Sequence, residues 1–351
     1  MELRKLAAEK GLIYGTAISA TSIEGDPRFA DLVLRHAGLV VAEYDMKWQH
    51  LNPSKPEDDN YGPADAIAAF ALDNGLVLRG HNLLWYRSTP HWFFDLPSQQ
   101  EMERAVVAHI RKLAERYRGR VHSWDVVNEL IEPANGRPDG LRTAAFLDQM
   151  GLDYIELAHR TARDADPNAR LVVNEYSVEL DSREHEARRA ALLGLLERMQ
   201  RSGTPVDAVG IQAHLPVTGG APFSASRLRR FLAEIAGLGL TIQITELDII
   251  DRDVPADETV RDQLVADTYG HFLDAALDEP AVKMVVTWGL SDRYSWLTNS
   301  RRDRLPARPL PFDADLEPKP AFDAMVRAFA NAPQRPADED GWPRSRITVQ
   351  S

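Results

Sequence analysis

Two stretches carry the strongest fold signal in this chain: Val121-His-Ser-Trp-Asp-Val-Val-Asn-Glu129 and Thr241-Ile-Gln-Ile-Thr-Glu-Leu-Asp248. Each is a short run of the β-branched and apolar residues typical of buried parallel strands, and each run reaches a glutamate near its end. An ionised carboxylate is costly to bury, so a glutamate at that point is badly placed for packing. It is well placed for chemistry, because α/β barrels carry their active sites at the carboxyl ends of their strands. The pattern therefore predicts two cooperating carboxylates, Glu129 and Glu246.

Length and composition limit the classes of protein to be considered. The 351 residues fit one barrel with long loops, and an apolar fraction of 44% is enough for a full core. A formal net charge of −12 disfavours nucleic acid and anionic membranes as partners, since both attract clusters of basic residues. The chain has no cysteine, which excludes disulfides and thiolate metal sites. No apolar run is long enough to cross a bilayer, and the charged first ten residues predict a helix or an extension rather than a signal peptide.

Short apolar runs alternate with helical patterns along the whole chain. The predicted strands are residues 14–18, 40–44, 77–81, 122–128, 171–174, 208–214, 241–246 and 284–288. The predicted helices are residues 27–36, 63–74, 100–117, 152–165, 184–200, 226–236, 257–277 and 320–330. Gly75 and Gly239 follow two of these helices, as is typical of helix ends.

This alternation predicts a parallel sheet with right-handed crossovers. An open doubly wound sheet is the competing arrangement, but the count of eight and the lack of a Gly-x-Gly-x-x-Gly turn after the first strand favour a closed one. We therefore predict the α/β class and a single (β/α)8 TIM barrel over residues 1–331. The tail, residues 332–351, is rich in proline and charge and is predicted to be a surface extension.

Polar and aromatic side chains collect at the predicted strand ends. They are Glu43, Lys47, Trp48, His81, Trp85, Asn128, Glu129, Glu175, Tyr176, Gln212, His214, Glu246, Asp248, Trp288 and Trp296. Indole faces can stack on the C–H faces of sugar rings, while amides and carboxylates can bind hydroxyl groups. The sequence contains no Gly-rich phosphate loop and no ligand cluster at metal spacing. The strand ends thus predict a neutral-carbohydrate site that needs no metal and no cofactor.

The motifs at these strand ends resemble those of the glycoside hydrolase family ten endo-β-1,4-xylanases. The main matches are Trp124-Asp-Val-Val-Asn-Glu129, Ile244-Thr-Glu-Leu-Asp248, Arg79-Gly-His81 with Trp85, and Gly210-Ile-Gln-Ala-His-Leu215. Supporting matches are Glu43-Tyr-Asp-Met-Lys-Trp48, Trp288-Gly289 with Asp292 and Trp296, and Phe312-Asp-Ala-Asp with Pro318-Lys-Pro320. Each motif alone is weakly specific, but together they follow the family's order over nearly the whole chain.

The resemblance implies a retaining glycosidase, in which two carboxylates about 5–5.5 Å apart flank the scissile bond. By the motif matches, Glu129 is the general acid/base and Glu246 is the nucleophile. The same matches imply that His214, oriented by Asp248, donates to the nucleophile, and that Asn128 binds the sugar 2-hydroxyl. The substrate-binding residues that the resemblance implies are Glu43, Lys47, His81, Trp85, Gln212, Trp288 and Trp296.

The sequence also departs from the family pattern. Tyr44 stands where the family usually has Asn, Tyr86-Arg87-Ser88 where it has His-Ser-Gln, and Asn174-Glu175-Tyr176 where it has Asn-Asp-Tyr. The first two changes fall in the region that grips the second sugar on the non-reducing side. We therefore expect the bond chemistry to be retained and recognition of that sugar to be altered. The Arg87 cation could meet a uronic acid branch.

The expected function is hydrolysis of internal β-1,4-xylosidic bonds of xylan by double displacement. The expected protein is a monomer with a polysaccharide or oligosaccharide as its partner. The resemblance implies a secreted or periplasmic protein whose export signal has been removed, and the alternative is a cytoplasmic protein. Two alternatives stay open. One is a barrel hydrolase for another β-1,4-linked glycan or a β-glycoside, and the other is a non-catalytic carbohydrate-binding barrel.

Overall fold

A closed parallel barrel forms the centre of the molecule. The structure is a computed structural model that describes residues 1–217, 223–252, 254–298, 301 and 303–336. The barrel strands are β1 Ile13–Ile18, β2 Leu39–Ala42, β3 Val77–Gly80, β4 Val121–Asn128, β5 Arg170–Glu175, β6 Ala208–Ile211, β7 Thr241–Ile250 and β8 Val282–Thr287. Strand β8 pairs in parallel with both β1 and β7, which closes the sheet and confirms the predicted (β/α)8 barrel.

All eight predicted strands are present, and one of them is divided. The run predicted at residues 208–214 forms β6 only as far as Ile211, because Ala213 has a φ of 61° and cannot continue a strand. A separate short strand, His214–Pro216, then pairs with the outer half of β7. A second short strand, Leu84–Trp85, pairs with β4. Both short strands lie at the carboxyl end of the barrel and extend it.

Helices surround the barrel where the sequence predicts them. The eight predicted helices run over Pro27–His36, Gly62–Asp73, Gln99–Arg116, Asp153–Ala165, Arg183–Arg201, Ala225–Gly237, Glu258–Ala276 and Pro320–Asn331. Gly75 and Gly239 have positive φ values just after two of them, as expected for helix ends. The other helices in the described residues are Leu3–Glu9, Ala20–Gly25, Trp48–Leu51, His91–Phe94 and Ala145–Met150, with 3₁₀ turns at Tyr86–Ser88, Pro133–Asn135 and Asp292–Tyr294.

A buried ion pair lies among the apolar layers of the barrel core. Arg79 on β3 donates to both carboxylate oxygens of Asp125 on β4, and its Nε donates to Gln243 Oε1 at 3.0 Å. Gly80 leaves room for the buried ring of Trp124, since a Cβ at that glycine would lie 2.0 Å from the ring. Trp124 is therefore a packing residue.

The first part of the tail lies against the barrel. Arg335 is buried and donates to the carbonyl oxygens of Val282 at 3.1 Å and Leu277 at 2.7 Å. Residues 337–351, including Trp342, lie outside the described residues, so the boundary at residue 332 stays a prediction. Across the described ranges, no helix combines the length and the apolar character that a bilayer crossing requires.

Candidate active site

Strand irregularities aim the two candidate carboxylates at the carboxyl end of the barrel. In β4, Val126 is an extra residue between the pairs that Asp125 and Val127 make with β5. In β7, one extra residue lies between Ile244 and Leu247 relative to β8. Such bulges redirect the side chains of the residues in the bulge and of those that follow it. Glu246 lies in the β7 bulge, and Glu129 comes directly after β4 with a φ of 61°.

Glu246 lies among hydrogen-bond donors. Asn174 Nδ2 donates to its Oε1 at 2.7 Å, and His214 Nε2 lies 3.1 Å from its Oε2. Burial alone would raise the pKa of Glu246, but the hydrogen bond from His214 and the surrounding positive charges, including that of Lys47, lower the pKa to about 2. Glu246 is therefore a carboxylate throughout the neutral and mildly acidic range.

His214 links Glu246 to a second carboxylate. Its Nδ1 lies 2.8 Å from Asp248 Oδ1, and the other oxygen of Asp248 accepts from Trp296 Nε1 at 2.7 Å. Burial would lower the pKa of His214, but the charge and hydrogen bond of Asp248, together with Glu246, raise it well above its usual value. The raised pKa favours the imidazolium form, which donates from both nitrogens.

Glu129 has a sparser environment than Glu246. The one hydrogen bond that its carboxylate makes within the described residues is from Gln212 Nε2, at 3.4 Å. The same Gln212 nitrogen lies 3.3 Å from Asn128 Oδ1, which also accepts from Asn174 Nδ2 at 2.8 Å. A continuous set of side chains, Gln212, Asn128 and Asn174, therefore connects Glu129 to Glu246. Asn128 Nδ2 is buried without a partner among the described residues, so it is available to a ligand.

Asn174 belongs to this site although the sequence did not single out its side chain. It donates to both Asn128 and Glu246, and its own Oδ1 accepts from Thr245 Oγ1 at 2.7 Å. Gly210 makes room for it, since a Cβ there would lie 2.2 Å from Asn174 Oδ1. The sequence feature that could have indicated Asn174 is its position at the end of a buried strand, since the next strand of the barrel carries Gly210.

Lys47 lies among three aromatic rings. Its buried Nζ is 4.9 Å from the ring centroid of Trp85, 5.7 Å from that of Trp288 and 4.9 Å from that of Tyr44. Burial lowers the pKa of Lys47, while nearby carboxylates, first Glu246, oppose the shift. Such a pairing of a cation with aromatic faces suits a surface that binds sugar hydroxyls and C–H groups.

Three other predicted binding residues are His81, Glu43 and Trp85. His81 Nδ1 lies 2.8 Å from Asp125 Oδ2, and its ring meets Trp288 edge-on at 5.1 Å. Burial raises the pKa of Glu43 to about 7, although the hydrogen bond from Tyr44 and the charge of Lys47 oppose this shift. The indole Nε1 of Trp85 is buried without a partner among the described residues and is a second free donor.

The sequence analysis placed Trp48 among the side chains at the strand ends, and the structure corrects this prediction. Trp48 is buried and its ring stacks on His109 at 4.2 Å. The sequence placed it there because it follows Lys47, but Trp48 begins a short helix that turns its side chain into the core.

The residues that depart from the family pattern lie in two places. Tyr44 is 38% exposed and its ring faces Lys47. Tyr86 instead packs on the guanidinium of Arg142, whose Cζ is 4.4 Å from the ring centroid. Arg87 is exposed, and Ser88 is buried with no hydrogen-bond partner for its Oγ among the described residues.

Comparisons with known proteins agree with this geometry. The sequence model described as Glycosyl hydrolase family 10 matches residues 2–328. The chain is 32% identical over 346 residues to endo-1,4-beta-xylanase C of Paenibacillus barcinonensis, covering 92% of this chain and about a third (31%) of that protein's length. It is 31% identical to endo-1,4-beta-xylanase 3 of Hypocrea jecorina, covering 92% of this chain and 84% of that one. The crystal structure of native xylanase 10B from Thermotoga maritima superposes with a TM-score of 0.84 at 29% identity, covering 94% and 98% of the two chains.

Proposed function

The chain belongs to glycosyl hydrolase family 10, and we propose that it hydrolyses internal β-1,4-xylosidic bonds of xylan with retention of configuration, using Glu246 as nucleophile and Glu129 as acid/base. One observation carries this assignment. Two carboxylates with opposite surroundings are joined by one set of hydrogen-bonded side chains at the carboxyl end of the barrel. A retaining glycosidase needs such a pair, because one group must stay ionised while the other exchanges a proton.

The first chemical step uses both groups at once. Glu246 attacks the anomeric carbon, and the bond from that carbon to the leaving oxygen breaks as Glu129 gives that oxygen its proton. The product is a glycosyl ester of Glu246 with inverted configuration. The imidazolium of His214 and the amide of Asn174 favour the ionised nucleophile before attack and at departure.

The second step reverses these roles. Glu129, now ionised, takes a proton from water, and the water oxygen attacks the anomeric carbon while the bond to Glu246 breaks. The two inversions give net retention. Asn128 Nδ2, which has no protein partner among the described residues, is suited to bind the 2-hydroxyl of the sugar in both steps.

The other predicted residues suit sugar binding around the cleavage point. They are Glu43, Lys47, His81, Trp85, Gln212, Trp288 and Trp296, and they combine buried charge with aromatic faces. Among the carboxylates, Glu246 acts most strongly on Lys47, and the free indole donor of Trp85 belongs to a ring beside that lysine, which supports a role for both in holding the sugar that becomes esterified.

Product stereochemistry tests the mechanism. The wild type should release the β-anomer first from xylan oligosaccharides, as followed by proton NMR. Glu246→Ala and Glu129→Ala should both abolish turnover of xylan. With an activated xylobioside and azide, Glu246→Ala should give the α-azide, and Glu129→Ala the β-azide. Initial release of the α-anomer by the wild type would contradict the assignment.

A second candidate is a hydrolase for another β-1,4-linked glycan, because the comparisons do not fix the sugar that this chain prefers. The product pattern from xylan beside that from cellulose separates the two. Xylo-oligosaccharides of several lengths from xylan, with little release from cellulose, support the xylanase. Absence of turnover on both, with retained binding, would favour a carbohydrate-binding barrel instead.

Altered recognition of the second glycone sugar is a further part of the proposal. Tyr44 offers a half-exposed aromatic face beside Lys47, where the family pattern has an amide. Tyr44→Asn should therefore change kcat/KM on oligosaccharides more than on a substrate with a single glycone sugar. Arg87→Ala tests the uronic acid contact, since it should reduce the preference for glucuronic acid-decorated over plain xylan; an unchanged preference rejects that contact.

We also propose that the protein is a monomer. We further propose that it acts outside the cytoplasm, because its polymeric substrate does not enter cells. Size-exclusion chromatography with light scattering tests the first statement. Activity in the culture medium or periplasm of the native host, compared with the cytoplasmic fraction, tests the second.

A further inference from the structure

We propose that Arg142 and Glu175 are positioning residues that hold Glu129 in its left-handed backbone conformation and so aim its proton at the leaving oxygen. This inference rests on the proposed role of Glu129 as acid/base. It goes further by assigning two residues, outside the family motifs that carry the catalytic roles, to one step of the reaction.

The backbone of Glu129 needs external support. Its φ of 61° lies in the region that residues with a β-carbon rarely adopt. Such a conformation persists only where the surrounding structure holds it. Among the described residues, the Glu129 carboxylate has one long hydrogen bond, at 3.4 Å from Gln212, so the side chain is aimed mainly by the backbone that carries it.

Arg142 holds the carbonyl groups of this segment. Its Nε donates to the Glu129 oxygen at 2.8 Å, and its Nη2 reaches the Ile131 oxygen at 3.4 Å. Its backbone nitrogen donates to the Leu130 oxygen at 2.6 Å. One residue thus binds three successive carbonyl groups, beginning with that of the acid/base.

Glu175 holds the amide groups of the same segment from the other side. Its Oε1 accepts from the backbone nitrogens of Leu130 and of Ile131, the latter at 3.0 Å. The side chain is fully buried, and its Oε2 has no partner among the described residues. Arg142 therefore binds the carbonyl oxygens of this segment, and Glu175 binds the amide nitrogens of Leu130 and Ile131.

Arg142 is itself fixed in place. Its Nη2 donates to Tyr176 Oη at 2.7 Å and lies 3.3 Å from Glu132 Oε2, while Tyr86 covers the guanidinium face at 4.4 Å. Arg188 pairs with the same Glu132 oxygen at 2.7 Å. These contacts engage both the nitrogens and the face of the guanidinium, so it can act as a rigid support.

The role can be separated from general folding by the choice of leaving group. A 2,4-dinitrophenyl leaving group departs without a proton, whereas a phenyl group needs one from Glu129. For Arg142→Lys, we expect kcat/KM on phenyl β-xylobioside to fall about 10²-fold, in the range of lost acid catalysis. On 2,4-dinitrophenyl β-xylobioside the same variant should stay within about 3-fold of the wild type, since that cleavage does not use the acid.

Glu175→Gln and Glu175→Asp extend the test. The amide keeps an acceptor oxygen but has no ionisable group, and the shorter acid keeps the carboxyl group but moves it away from the two backbone nitrogens. Both should show the same dependence on the leaving group as Arg142→Lys, with smaller losses on the phenyl substrate. Inactivation by a 2-deoxy-2-fluoro dinitrophenyl xylobioside should proceed at the wild-type rate in all three, because it depends on Glu246 alone.

Arg137→Lys is the matched control, since Arg137 lies on the same loop in an exposed pair with Asp139. It should leave both substrates unchanged. Equal losses on the two substrates, or no loss on the phenyl substrate, would overturn the positioning role. If Arg142→Lys does not fold, as judged by circular dichroism, the two Glu175 variants decide. A wild type that cleaves neither xylobioside would instead overturn the proposed function and this assignment with it.

Discussion

The two halves of the active site are built in different ways. On the nucleophile side, Glu246 lies within a strand, and His214 and Asn174 hold its two oxygens at 3.1 and 2.7 Å. On the acid/base side, Glu129 lies just beyond a strand, and its carboxylate has a single described contact at 3.4 Å. Its backbone is held instead, by Arg142 and Glu175.

This difference suits the roles that we propose for the two groups. A nucleophile that must stay ionised is stabilised by fixed hydrogen-bond donors. These donors are oriented when the protein folds and need no reorganisation during the reaction. A group that gives and takes a proton in each turnover cannot be bound strongly in either state, because that would oppose one of the two steps. In the proposed mechanism, the charge of Glu246 is therefore fixed through its side chain and the direction of Glu129 through its backbone.

The largest effect should come from exchanging each carboxylate for its amide. Glu246→Gln should lower kcat/KM by at least about 10⁴-fold on phenyl and dinitrophenyl xylobiosides alike, because the covalent bond cannot form. Glu129→Gln should match that loss only on the phenyl substrate. Glu197→Gln, at an exposed helix glutamate paired with Arg201, is the control and should behave as wild type. Similar patterns for Glu246→Gln and Glu129→Gln would remove the distinction between the two sides.

The next effect in size concerns the donor to the nucleophile. His214→Asn should reduce kcat/KM by about 10²–10³-fold on both substrates, the range for loss of one fixed donor to a developing charge. With the pKa of Glu246 at about 2, the wild type should show no acid limb from this group above about pH 3. Without the His214 hydrogen bond that pKa rises, so the variant should gain an acid limb nearer pH 4–5. The pH profile of kcat/KM between pH 3 and 8 measures the shift.

Most of the fold could be predicted because its signals are local. Each barrel strand is a short apolar run between helical patterns, and terminal residues such as Gly75 and Gly239 mark helix ends without reference to distant parts of the chain. The break in the sixth strand was not predictable in this way. It depends on Ala213 adopting a positive φ, which nothing in the local composition requires.

The site was predictable only where a residue lay inside a motif. Asn174, Arg142 and Glu175 act through contacts that bulges and loop packing create, and none of these contacts has a sequence pattern of its own. Trp48 shows the opposite error, since its position after Lys47 suggested a place at the strand ends, whereas helix geometry buries its ring beside His109. Sequence reasoning thus proposed reacting groups from motifs, whereas the side chains that support them emerged only from the contacts in the structure.

A smaller effect should appear in stability. The raised pKa of His214 stabilises the fold. This contribution is complete below the pKa that the group has in the unfolded chain, near 6.5, and it is lost as pH rises through the pKa of the folded state. The lowered pKa of Glu246 contributes above its unfolded value near 4.5, and this is lost as pH falls through about 2. His214→Asn should therefore lower Tm most between about pH 4.5 and 6.5, by about 2–6 °C. Calorimetry at pH 5.5 and 9 checks this, and an equal decrease at both values would contradict the linkage.

The smallest effect should come from the outermost link on the nucleophile side. Trp296 is 48% exposed and donates from Nε1 to Asp248 Oδ2 at 2.7 Å. Trp296→Phe keeps an aromatic ring but removes that donor, and water can replace it at so exposed a position, so kcat/KM should fall only about 3- to 10-fold.

Because Asp248 acts on the nucleophile through His214, the loss in Trp296→Phe should be the same on phenyl and dinitrophenyl xylobiosides. Trp92→Phe is the matched control, since its Nε1 donates at 2.9 Å to the Asn52 carbonyl oxygen, outside the set of contacts around Glu246 and Glu129. That variant should retain full kcat/KM on both substrates. A loss in Trp296→Phe confined to the phenyl substrate would place Trp296 with the acid/base, and the two sides would then share supports that the described contacts assign to Glu246 alone.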